Sequence, residues 1–134
     1  MREILLVRYG EVFLKGQNRP FFLRKLVDHV KLAVQGVHGH VWLSDGRIYV
    51  SDYSDQDEAI RRVCRVFGVH SVSPAVEMEK NDFEAICAQA AKMMENRKGT
   101  FKVLAKRSDK RYPLDSPAIM REAGGYILDH VPQL

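Results

Sequence analysis

The chain opens on an apolar run, Glu3 to Arg8, that predicts a buried strand. Gly10 and Gly16 bracket a short basic connection from Glu11 to Arg19, and Pro20 suits the first turn of a helix. Leu23, Leu26, Val27, Val30 and Val34 then recur at helical spacing, with Arg24, Asp28, Lys31 and Gln35 on the other face, until Gly36 and Gly39 stop the pattern. Two β-type runs, His40 to Leu43 and Arg47 to Ser51, flank Ser44-Asp45-Gly46, and an Asp-Gly pair in that position predicts a hairpin. Ser54 is the expected cap of a second helix, whose first turn carries Asp55, Asp57 and Glu58. Ile60, Val63, Cys64 and Phe67 are its expected core stripe, and Gly68 its end. His70 to Glu79 returns as a strand, with Pro74 pointing to a sheet edge or a bulge.

Residues 1–79 therefore read β-α-β-β-α-β, the order of a ferredoxin-like sandwich in the α+β class. Beyond Lys80-Asn81 the pattern changes. Phe83, Ile86, Cys87, Ala90 and Met94 predict a helix. Residues 101–106 have strand character, with Phe101, Val103 and Ala105 on one side and Lys102, Leu104 and Lys106 on the other. Asp109 and Pro113 mark a turn. A last helix starts at Asp115-Ser116-Pro117 and carries Ile119, Met120, Ala123, Ile127 and Leu128, with Gly124-Gly125 inside it as a point of close packing. Residues 80–134 thus form an incomplete α-β-α region, a second domain whose boundary a family profile could set as early as residue 60. One strand cannot satisfy its own backbone hydrogen bonds. Residues 101–106 are expected to join the first sheet, or to find partners outside the chain, as in a homodimer.

Charge sharpens this picture. The 134 residues carry a net charge of +4. Seven cations (Arg97, Lys98, Lys102, Lys106, Arg107, Lys110, Arg111) against the single acid Asp109 fall between residues 97 and 111, so the rest of the chain is slightly acidic. A local basic patch on a near-neutral body favours a polyanion, and Arg and Lys both suit phosphate. Arg8, Lys15, Arg19, Arg24 and Lys25 form a second basic group, and Tyr9, Tyr112 and the Phe21-Phe22 pair offer rings for unpaired bases, although Phe22 is also expected in the core.

Other chemistry finds little support. Cys64 and Cys87 each fall on an apolar helical stripe and read as small buried hydrophobes of a reducing compartment. His38-Gly39-His40 lacks further ligands at metal spacing and reads as a turn. Gly10 and Gly16 lack the Gly-Lys-Ser/Thr ending of a phosphate loop, and no nucleophile has a base beside it in a known motif, so this chain alone is not expected to catalyse a reaction. The apolar runs are too short to span a bilayer, and charge appears too early for a secretory signal, so a cytoplasmic protein is expected.

Two segments carry a resemblance. Arg8-Tyr9-Gly10-Glu11-Val12-Phe13-Leu14-Lys15-Gly16-Gln17-Asn18-Arg19, followed by Phe21-Phe22, resembles the opening of bacterial tRNA 4-thiouridine sulfurtransferases, the ThiI family. Phe101-Lys102-Val103-Leu104-Ala105-Lys106-Arg107-Ser108-Asp109-Lys110-Arg111-Tyr112-Pro113 is similar to the signature of that family's THUMP domain. The resemblance implies a ferredoxin-like domain, then a THUMP domain, both binding tRNA, and then a PP-loop domain that uses ATP and Mg. That third domain adenylates a uridine, and a cysteine desulfurase supplies the sulfur; the family also serves synthesis of the thiamine thiazole. No Ser-Gly-Gly-x-Asp-Ser loop occurs here, so an N-terminal fragment with a truncated THUMP domain, and with no cofactor of its own, is expected. Lys102, Lys106, Arg107, Lys110 and Arg111, together with Arg8, Lys15 and Arg19, are the residues expected to meet RNA. The alternative is a regulatory or oligomerisation domain whose basic loop meets an acidic protein or a small anion.

Overall fold

A computed structural model of the chain describes residues 1–10 and 19–134. The expectations for Lys15 and Gly16 lie outside the described residues. The chain divides into two compact units, Met1–Glu77 and Met78–Leu134.

The first unit contains β1 (Arg2–Tyr9), α1 (Arg19–Ala33), β2 (His40–Ser44), β3 (Arg47–Ser51), α2 (Gln56–Cys64) and β4 (Val69–Glu77). The strands form one antiparallel sheet in the order β2-β3-β1-β4. This is the expected ferredoxin-like α+β arrangement. One face of the sheet contributes Leu5, Val7, Val41, Ile48 and Val50 to a core completed by Leu26, Val30 and Val34 of α1 and its end, and by Ala59 and Val63 of α2. Leu5, Val7, Val30, Val34, Ile48, Val50 and Val63 are fully buried. Each such side chain contributes about 1.5–3 kcal/mol of apolar transfer.

Local chemistry fixes the joints. Asp45 and Gly46 both take positive φ, 52° and 73°, the backbone that a two-residue hairpin turn requires. After α1 a short 3₁₀ turn, Gln35–Val37, ends on His38 in the left-handed region, and the Gly39 amide donates to the Val34 carbonyl at 3.0 Å. A Cβ on Gly39 would lie 2.7 Å from Val34 Cγ2, so Gly39 is where the chain passes directly beneath the end of α1. Gly36 lies inside the 3₁₀ turn and does not itself stop the helix. Pro74 lies on β4, an edge strand, opposite Leu5, while the register shift occurs between Arg8 and Tyr9 of β1.

Several expectations are corrected. Asp55, not Ser54, caps α2, accepting from the Glu58 amide at 3.1 Å; the Ser54 hydroxyl donates to the Val37 carbonyl instead. The buried face of α2 is Ala59 and Val63, four residues apart. Cys64 is exposed because it is one position, about 100°, away from that face, and Phe67 is exposed because the helix has already ended. Phe22 is 45% exposed on the first turn of α1 and is not a core residue.

The second unit holds α3 (Phe83–Met94) and α4 (Ser116–His130). Asp82 caps α3 by accepting from the Ala85 amide at 3.1 Å, and Asp115 caps α4 by accepting from the Ala118 amide at 2.9 Å, with Pro117 in the first turn. The helices meet around Ala91, Ile127 and Val131, with Met94, Phe101, Val103 and Tyr126 packed against them. Cys87 is buried, as expected, and burial pushes its thiol pKa upward. Residues 101–107 keep the expected alternation: Phe101, Val103 and Ala105 are half-buried, while Lys102, Leu104 and Lys106 are exposed. They are not a strand, however, and among the described residues of this unit no strand is present to pair with them. The middle element of the α-β-α reading is therefore an extended segment without ladder bonds.

Candidate nucleic-acid interface

The extended segment sets the spacing of the cations. Lys102 and Lys106 leave its exposed side, and the chain then turns at Asp109. The Tyr112 amide donates to the Asp109 carbonyl at 3.1 Å, and the Arg111 amide donates to Asp109 Oδ1 at 3.0 Å, so the Asp109 side chain closes its own turn. Lys80 Nζ lies 2.8 Å from Asp109 Oδ2 and Arg111 Nε 3.3 Å from Oδ1. The bond from Lys80, followed by those from the Arg111 amide and guanidinium, lowers the Asp109 pKa to about 2. Asp109 is thus an ionised tie among cations at any ordinary pH.

The expected site residues are not equivalent. Lys102, Lys106, Lys110 and Arg111 are exposed. Arg107 is half-buried, and its Nη1 donates to the Tyr112 carbonyl at 3.1 Å, so it holds the loop closed as well as adding charge. Beside this loop is a cavity of about 220 Å³ lined by Phe83, Ile86, Tyr112 and Ile119, by the cations Lys80, Lys106 and Arg107, and by Ser108 and Asp109. Apolar walls under a cationic rim can take a flat ring and its charged substituent together. Among the described residues no group of His, Cys, Asp and Glu is arranged to hold a metal ion.

Arg8 and Arg19 belong to the first unit. Arg8 is exposed on β1 and its Nη1 donates to Ser73 Oγ at 2.5 Å; Arg19 is exposed at the start of α1. Tyr9, expected to stack on bases, donates its hydroxyl to the Gly46 carbonyl at the hairpin turn. Phe21 and Phe22 meet edge to face at 5.7 Å, with Lys25 Nζ 5.5 Å from the Phe21 ring. The sequence reading missed Lys80, whose role depends on a contact 29 positions away, and the aromatic group His40, Trp42 and Tyr49. Counting alternate positions on β2 and β3 would have put those three rings on one face.

The fold and the loop define a ferredoxin-like sandwich followed by a helix pair that carries a cationic turn. The family model for the ThiI ferredoxin-like domain matches residues 4–73, and the chain belongs to that family. The model of the THUMP domain matches residues 80–134. The chain is 46% identical to a probable tRNA sulfurtransferase of Acetivibrio thermocellus, an alignment covering 100% of this chain and 36% of the relative. It is 41% identical to a probable tRNA sulfurtransferase of Lachnospira eligens with the same coverage. The chain thus spans about a third of the length of these relatives. Among solved structures, a 4-thiouridine synthetase–RNA complex with bound ATP superposes with a TM-score of 0.76 and 27% identity, over 100% of this chain and 35% of the other. PH1313 of Pyrococcus horikoshii Ot3 superposes with a TM-score of 0.71 and 29% identity, over 96% and 45%.

Proposed function

We propose that this chain is a tRNA-binding region of a tRNA sulfurtransferase that makes 4-thiouridine. The observation that carries the reading is the turn at Asp109. It presents Lys102, Lys106, Lys110 and Arg111 to solvent from one continuous segment, within the part of the chain that matches the THUMP domain. Spaced cations beside an apolar cavity suit a phosphate backbone with an unpaired end. The solved relative in complex with RNA supports the same partner. On this reading Arg8, Lys15 and Arg19 add phosphate contacts from the first unit. ATP, Mg and the sulfur chemistry belong to a PP-loop domain that is not part of these 134 residues, with a cysteine desulfurase as donor and thiamine thiazole synthesis as a second output. The working protein is a cytoplasmic homodimer. No helix among the described residues is long and apolar enough to cross a membrane.

Filter retention of this chain with tRNA, and with a heparin fragment of equal charge, tests the reading. Tighter retention of tRNA at matched charge is expected. Equal retention of both polyanions would instead favour a domain that meets any acidic surface.

A further inference from the structure

The first unit covers one face of its sheet with α1 and α2; the other face carries its own chemistry. Cross-strand partners share a face, so the pairs Trp42–Tyr49, Tyr49–Leu6 and Leu6–Ser73 trace one row across all four strands on the side away from the core. His40, Trp42 and Tyr49 form a continuous aromatic group there. The His40 and Trp42 rings are 5.8 Å apart and the Trp42 and Tyr49 rings 5.3 Å apart, both pairs inclined by 22°. Arg2, Arg8 and Arg47 lie on the same face by register. Arg2 lies over Trp42, 5.0 Å from the ring centroid, and 2.9 Å from Glu77, which is the only acid among the described strand residues on this side. The β4 half of the face holds only Ser71, Ser73 and Ala75 before Glu77, so it stays low and flat.

We propose that this face is a second RNA-binding surface, for unpaired bases. Bases would stack on Tyr49 and Trp42, with Arg8 and Arg47 taking the flanking phosphates. The inference rests on the RNA reading above and shares Arg8 with it, but adds the open sheet face of the first unit and the unpaired bases that would stack there. Two features choose the occupant. Three arginines against one carboxylate complement a polyanion, and adjacent rings on a flat sheet match a stack of planar bases. Arg2 covers Trp42 in the free chain, and a guanidinium over a ring can be replaced by a base while it turns to a phosphate.

Trp42 is the only tryptophan of the chain, so its emission reports this face directly. The whole 134-residue chain should be titrated with a 12-nucleotide oligoadenylate RNA, with a blunt RNA duplex of equal length, and with polyglutamate. Oligoadenylate should quench Trp42, and the other two should not. Tyr49→Leu should weaken the oligoadenylate affinity by about 5- to 150-fold, the range spanned by loss of one base–aromatic stack. Arg47→Gln, which removes charge without touching the core, should flatten the slope of log K against log salt by about 0.7. No quenching, or quenching that neither variant changes, overturns the proposal. Equal quenching by polyglutamate overturns it in favour of an acidic protein. Retention of tRNA on filters, measured in parallel, separates the two readings. If tRNA is retained without a Trp42 signal, only the sheet face fails; if Trp42 responds to oligoadenylate while tRNA is not preferred, only the tRNA reading fails.

Discussion

Neutralising Lys106, Lys110 and Arg111 together tests the cationic turn most directly, because all three are exposed and none supports the core. Arg107 should stay, since its bond to the Tyr112 carbonyl makes it part of the loop's framework. Each cation that neutralises an RNA phosphate releases a counterion and adds about 0.7–0.9 to the slope of log K against log salt. Lys106 and Lys110 have no acidic partner at ion-pair distance among the described residues, whereas Arg111 is 3.3 Å from Asp109. Two lost contacts are therefore the minimum, a flattening of about 1.4–1.8; three are lost if Arg111 leaves Asp109 for RNA, a flattening of about 2.1–2.7. Between 50 and 200 mM salt, the unaltered chain should then lose about 7- to 40-fold more affinity than the triple alanine variant. Filter binding to tRNA at four salt concentrations measures this, with circular dichroism confirming the fold. A folded variant whose slope changes by less than about 0.7 would show that the turn does not contact phosphate.

Asp109→Asn should keep the turn, because the amide oxygen still accepts from the Arg111 amide, while freeing Lys80 and Arg111; the salt slope for tRNA should steepen, by at most about 1.4–1.8 if both reach phosphate. The folded Asp109 pKa is lowered to about 2, so its stabilising ties are complete above the ordinary carboxylate range and are lost only as pH falls through about 2; between pH 8 and pH 5 they should contribute a constant term to tRNA binding. Gly39→Ala puts a methyl group 2.7 Å from Val34 Cγ2 and 3.2 Å from Val50 Cγ1, and overpacking of this kind should cost about 1–3 kcal/mol in a denaturant titration; no loss would mean that the chain can back away from α1. Gly125→Ala meets nothing within 4 Å on α4 and should stabilise the second unit by about 0.5–1 kcal/mol, read as an upward shift in its thermal midpoint.

The parts of the fold that were legible are those fixed by neighbours in sequence. Helical spacing found Leu26, Val30 and Val34, and the Asp45-Gly46 pair found the hairpin. The misread positions are those where a local pattern continues past its physical end. Apolar residues at helical spacing run on to Phe67, but the Arg65 amide already turns back to the Arg62 carbonyl, so Phe67 leaves the buried face, while Cys64 lies one helical position off it. In residues 101–106 alternation correctly gave the sides of an extended chain. Alternation cannot say whether a ladder forms, because that depends on a partner strand.

The same distinction separates the two candidate surfaces. The cations of the second unit are contiguous in sequence, so composition alone placed them together, and only the Lys80–Asp109 tie needed three dimensions. The aromatic face of the first unit is assembled from separate strands and exists only at one register. Trp42 faces Tyr49 because the hairpin turns on two residues in positive φ, Asp45 and Gly46. A slip of one residue in β2 would carry Trp42 into the space of Val41, against the fully buried Val50, and would turn Val41 out to the place of His40, opposite Ser51. The volume of the core excludes that alternative, since an indole cannot replace the buried Val41 in a core already filled by Val34, Ile48 and Val50. The packing that stabilises the sandwich therefore also holds the three rings on its open side.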